Sequence, residues 1–147
     1  ANNLLCQENP ADLFVTAYVG IMDIATGEVS YACAGHNPPI KIHTDGTVEF
    51  VSVQPKLPLA AWEDTKYPIM YTRLMTGETF ILYTDGVTEA TNKDNELYGD
   101  DRLLQVAKEK QNSSIHEIIK GVKANVDIFV GEAPQFDDIT IVGIRRI

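Results

Sequence analysis

Phe80-Ile81-Leu82-Tyr83-Thr84-Asp85-Gly86-Val87-Thr88-Glu89-Ala90 is an apolar run that ends abruptly in an acid and a glycine. Its first four residues are bulky and β-favouring, and the run, bounded by Gly77 and Gly86, is too short for a helix; it reads as a buried strand. The C-terminal end of such a strand is a rigid platform. Asp85 stands on it, and Gly86 lets the chain turn sharply or approach another group closely because no Cβ intervenes. A carboxylate held at a strand end is a good ligand for a hard cation, although Asp-Gly after a strand also serves as a plain turn.

The flanking sequence builds a domain around that strand. With 147 residues, 44% of them apolar, the chain suits a single domain over residues 1–147 with a genuine core. The net charge of −9, without a basic cluster beyond Arg145-Arg146, argues against a nucleic-acid partner and leaves room for cations. No apolar run is long enough to span a bilayer, so no membrane contact is expected of this segment. With two cysteines, Cys6 and Cys33, a reducing cytoplasmic setting is the expectation. The opening at Ala1 rather than Met points either to a processed tag or to a segment excised from something longer.

Leu4 and Leu5 suit the last turn of a helix, which Asn9-Pro10 breaks. Phe14 to Met22 and Val29 to Ala34 read as strands joined by a hairpin loop with Gly27 at its positive-φ position. Ala34-Gly35-His36-Asn37-Pro38-Pro39 is a dense cluster of breakers. Ile40 to His43 and Val48 to Val53 follow as strands about the Asp45-Gly46 turn, and all four strands are expected to form an antiparallel meander. Tyr67 to Leu74 reads as an edge strand, with Pro68 where a missing N–H is tolerated. Asp100 is placed to cap a helix carrying Leu103, Leu104 and Ala107 and ending in Lys108 and Lys110. Ser114 with Glu117 is a capping box, after which Ile115, Ile118, Ile119, Val122, Val126 and Phe129 recur at helical spacing until Gly131 and Pro134. Ile139 to Ile147 alternates and closes the chain as a strand. The order predicts an α+β fold with both helices on one sheet face.

Asp137-Asp138-Ile139-Thr140 opens that last strand. Adjacent acids repel unless compensated, and a divalent cation is the simplest compensation, although Asp-Asp before a strand also serves as a plain solvated turn. If the strand after Asp137 lies antiparallel to the strand before Asp85, both carboxylates fall at one edge of the sheet.

Four segments in this order and spacing, Phe14-Val15-Thr16, Ala34 to Pro39, Leu82 to Ala90 and Asp137 to Thr140, resemble the catalytic domain of the bacterial PP2C-like (PPM) serine phosphatases of the SpoIIE and RsbU type. The resemblance covers nearly the whole chain. It implies layered antiparallel sheets with two helices on one face. It also implies two Mn²⁺ or Mg²⁺ ions that hold and activate a water to attack phosphoserine or phosphothreonine. Such ions lie about 3.5–4 Å apart, clamp phosphate oxygens and need no protein nucleophile. Asp85 and Asp137 correspond to ligands of one ion, Gly86 to a site-shaping position, and Asp138 to a neighbour that orients them. His36, beside Asn37, either shapes the site and handles protons or simply holds its turn by bonding nearby backbone. The implied substrate is a phosphorylated regulatory protein such as an anti-sigma-factor antagonist.

The chain also departs from that pattern. The family's early strand with an acidic ligand, and the Asp-x-Ser-Gly-(His or Lys)-Gly segment that bridges both ions, are absent from these residues. The chain therefore reads as an N-terminally truncated portion, expected to be inactive alone and to self-associate through an uncovered sheet near Phe14 to Met22. A non-catalytic phosphoprotein-binding module or pseudophosphatase is the alternative. A haloacid-dehalogenase-type phosphatase is excluded, because the nucleophilic aspartate it needs two residues before Asp85 is Tyr83, and a phenol cannot form the aspartyl-phosphate.

Overall fold

The computed structural model describes residues 1–7, 9–135 and 137–147. The chain forms two compact units, Ala1–Pro38 with Ser52–Leu74, and Pro39–Val51 with Met75–Ile147.

The first unit holds α1 (Asn2–Gln7) and strands β1 (Ala17–Met22) and β2 (Glu28–Ala34), which pair antiparallel around the loop that Gly27 closes at φ 76°. On β2 every second residue from Val29 to Cys33 is buried, which is the period of a sheet with one covered face. Tyr31 stacks on Tyr18 with ring centroids 5.3 Å apart. Asn2 ties α1 to the irregular 58–64 stretch: its Nδ2 donates to the Trp62 carbonyl (2.8 Å) and its Oδ1 accepts from Ala60 N–H (3.0 Å).

The second unit contains β3 (Ile40–Ile42), β4 (Val48–Phe50), β6 (Thr79–Tyr83) and β7 (Ile141–Arg145) in the order β4-β3-β6-β7, all antiparallel. Helices α2 (Gly99–Glu109) and α3 (Ile115–Val130) pack on this sheet. The apolar strand read from the sequence is its β6, with Thr79, Phe80, Ile81 and Tyr83 all buried. The core joins Ile40, Ile42, Ile81 and Tyr83 of the sheet to Leu103, Val106, Ile118, Val122 and Val126 of the helices. Each such aliphatic side chain contributes about 1.5–3 kcal/mol by leaving water. The α3 capping box forms in both halves, Glu117 N–H to Ser114 Oγ and Ser114 N–H to Glu117 Oε2. Among the described residues no helix is long and apolar enough to cross a membrane.

Two expectations are corrected. The four early strands do not form one meander: β2 pairs with β1 and with β5 (Met70–Arg73), whereas β3 pairs with β4 and β6. The breaker cluster explains the parting. Gly35 adopts φ 67°, and Pro38 and Pro39 have no N–H to offer a ladder, so β2 ends rather than turning back on itself. Asp100 is not the cap of α2. Tyr98 occupies that position without a side-chain bond, and Asp100 sits in the first turn, where its charge favours the helix dipole.

Candidate metal centre

Strands β6 and β7 pair in a register that sets Tyr83 opposite Ile141, and the pairing continues past the strand end. Thr84 N–H donates to the Thr140 carbonyl (3.1 Å), and Thr140 N–H donates back to the Thr84 hydroxyl (2.9 Å), which itself donates to the Asp138 carbonyl (2.8 Å). Thr84 thus staples the chain before Asp85 to the chain after Asp137. The next residue, Gly86, lies tight against the same segment: a Cβ built on it would meet the Asp138 carbonyl oxygen at 2.5 Å and the Asp137 carbonyl carbon at 3.3 Å. Asp85, Gly86, Asp137 and Asp138 therefore come together at one end of adjacent strands.

All three carboxylates are exposed. Asp85 Oδ1 accepts from Gly86 N–H (3.1 Å) and Asp137 Oδ1 from Asp138 N–H (2.7 Å), which orients each carboxylate and leaves its other oxygen available. Among the described residues no basic side chain pairs with any of the three. The backbone brings these acids to one strand end, but among the described residues no group of three or more His, Cys, Asp or Glu side chains gathers so as to hold a metal ion; carboxylate oxygens without a protein counter-charge are still the donor type that Mg²⁺ or Mn²⁺ takes.

His36 and Asn37 belong to the first unit. There His36 Nδ1 pairs with the Asn37 carbonyl (3.0 Å) and the His36 carbonyl accepts from Cys33 Sγ (3.1 Å), so the imidazole holds the turn. Burial pushes the Cys33 thiol up, which disfavours the thiolate and suits a packing residue rather than a nucleophile.

Beside the carboxylates opens a cleft of about 530 Å³. Gly86, Asp137 and Ile139 form one wall, Glu89, Ala90, Thr91 and Leu97 another, and Val126, Asp127 and Val130 of α3 a third. The second wall is a small hairpin, closed by Tyr98 N–H to the Ala90 carbonyl (2.8 Å) and fixed to α3 by the Tyr98 hydroxyl, which donates to Asn125 Oδ1 (2.8 Å). Thr84 lay within the motif that carried the resemblance, but its stapling role did not show in the sequence because its partners are 54 and 56 residues away. The cleft did not show either, since it depends on where α3 lies.

A sheet carrying acids at one end, backed by two helices, defines a PP2C-like architecture, and comparison with known proteins places the chain more narrowly. Residues 1–147 match the family Stage II sporulation protein E (SpoIIE), and the chain belongs to it, a family of PP2C-type phosphatase domains. Protein IcfG of Synechocystis sp. is 30% identical over 91% of the chain, and phosphoserine phosphatase RsbU of Bacillus subtilis is 26% identical over 99%. The chain spans only 21% and 43% of the length of these two relatives. Among solved structures, the RsbU and RsbW domains of Rv1364c from Mycobacterium tuberculosis superpose with a TM-score of 0.76 at 23% identity, over 98% of this chain and 39% of that one. The phosphatase domain of the cell fate determinant SpoIIE from Bacillus subtilis, presoaked with Mn, gives 0.68 at 21% identity, over 88% and 55%. Both support the fold.

Proposed function

We propose that this chain is part of a metal-dependent protein serine/threonine phosphatase that removes phosphate from a phosphorylated regulatory protein such as an anti-sigma-factor antagonist. The observation that carries this reading is that the chain segments bearing Asp85 and Asp137 meet at one strand end, stapled by Thr84 and packed closely at Gly86, with no basic side chain among the described residues paired with either acid. When bound, two Mn²⁺ or Mg²⁺ ions would supply the charge that polarises phosphate oxygens and brings the pKa of a water near neutrality. Asp85 and Asp137 would hold one of the ions. Asp138 and Gly86 orient that pair, the acid through its backbone bond to Thr84 and the glycine by allowing close approach.

By the family resemblance further ligands complete the ion site, and on this reading the 147 residues alone do not hydrolyse phosphoserine. An Mn²⁺ titration of the full-length protein against a phosphoserine peptide tests the reading. Hydrolysis should vanish in EDTA and return with Mn²⁺ or Mg²⁺. Metal-independent turnover would overturn it, and phosphopeptide binding without turnover would identify a regulatory binding module instead.

A further inference from the structure

We propose that the cleft beside Asp137 seats a short segment of the substrate protein next to its phosphorylated residue, an apolar side chain entering between Ala90, Leu97 and Val130 and a Lys or Arg pairing with Glu89. This rests on the phosphatase reading and adds to it the class of sequence the site selects.

Position is the first argument. Gly86 and Asp137 belong both to the carboxylate end and to the cleft wall, so a chain whose phosphate is held at Asp85 and Asp137 reaches the cleft within one or two residues, at about 3.3 Å per residue. Size is the second. About 530 Å³ lies within the range of roughly 300–1,000 Å³ typical of ligand clefts and exceeds what one side chain fills. Chemistry is the third: Ala90, Leu97, Val126, Val130 and Ile139 give the cleft an apolar lining into which Glu89 and Asp137 bring polar groups, the mixture typical of a ligand cleft.

Charge selects the neighbour. Of the cleft's carboxylates, Asp137 is assigned to the ion and Asp127 pairs with Lys123, whereas Glu89 is exposed and has no ion-pair partner among the described residues. A single unpaired carboxylate at the rim favours a cation on the incoming chain and penalises an acid there.

The test uses the full-length protein and two fluorescein-labelled peptides carrying serine, the dephosphorylated product. One has leucine and lysine within three residues of that serine, the other leucine and glutamate. Anisotropy is read in EDTA, where no turnover occurs. The lysine peptide should bind about tenfold more tightly than the glutamate peptide. Glu89→Gln should abolish that preference, Glu89→Lys should invert it, and Leu97→Asp should weaken both peptides. Equal binding by the wild type, or a preference indifferent to Glu89→Lys in a variant with unchanged circular dichroism, would overturn the proposal. Mn²⁺-dependent hydrolysis of p-nitrophenyl phosphate by the wild type, a substrate with no chain to seat, reads the phosphatase assignment separately. Hydrolysis without peptide preference removes the cleft alone, and preference without hydrolysis removes the phosphatase reading while leaving the peptide-binding cleft.

Discussion

Gly86 and Asp138 approach so closely across the ends of β6 and β7 that a Cβ on the glycine would stand 2.5 Å from the aspartate's carbonyl oxygen. The obstacle is backbone, which cannot swing aside as a side chain does. Gly86→Ala should therefore part the strand ends by several tenths of an ångström, cost about 1–3 kcal/mol of stability and weaken Mn²⁺ binding. Urea denaturation and calorimetric Mn²⁺ titration of the full-length protein check this. An alanine variant with unchanged stability and affinity would mean that the close approach does not shape the centre.

The acids themselves should separate by role. Asp85→Asn and Asp137→Asn each remove a charged ligand from an exposed position, so phosphoserine hydrolysis should fall by more than about 100-fold while the thermal midpoint barely moves. Asp138→Asn touches only an orienting neighbour and should cost roughly tenfold. If Asp138→Asn is the most damaging of the three, the assignments of Asp137 and Asp138 are reversed.

What was legible before the structure was local. The burial of β6, the Ser114 and Glu117 box and the stop at Gly131 all follow from neighbouring residues. The shared end of Asp85 and Asp137 was also legible, because an antiparallel pair ties two distant motifs together with a single assumption. Pairing partners were not. Val29 pairs with Thr72, and Ile40 with both Phe50 and Ile81, choices that depend on which faces need covering rather than on the strands' own composition. His43 carried no signal for the same reason. Its partner Glu78 lies 35 residues away, and only the β3-β6 pairing brings them to 2.7 Å.

That partnership makes its own prediction. Glu78 is buried and accepts from Met75 N–H (2.7 Å), Lys41 Nζ (3.0 Å) and His43 Nδ1 (2.7 Å). Burial pushes its carboxyl up, but the bonds from Met75, Lys41 and His43 outweigh that and hold it below the ordinary glutamate value. A folded pKa below the unfolded one, about 4.3, means that the stabilisation is present above that pH and is lost as pH falls through the folded value. Glu78→Ala should cost on the order of 3 kcal/mol at pH 7, because Lys41 loses a buried counter-charge. Denaturation curves of variant and wild type should draw together below about pH 4. A difference that stays constant from pH 7 to pH 3 would assign the loss to packing instead of charge.

The three-stranded sheet, ordered β1-β2-β5, bears on the chain in isolation. Ile21 and Tyr71 flank Ser30 in one cross-strand row and are 72% and 77% exposed, and Val19 on the same face of β1 is 62% exposed. Large apolar side chains aligned on one face of a sheet whose outer strands, β1 and β5, have no further strand neighbour among the described residues favour association with another copy. We expect the 147-residue chain to be at least dimeric by light scattering at micromolar concentration, and the Ile21→Lys, Tyr71→Lys double variant to be monomeric with unchanged circular dichroism. The same samples should show no saturable Mn²⁺-dependent turnover of a phosphopeptide, since two carboxylates without the bridging ligand hold a strongly hydrated ion weakly. A monodisperse wild-type monomer would remove the association, and measurable turnover would show that the ion site is complete within these residues and has ligands beyond Asp85 and Asp137.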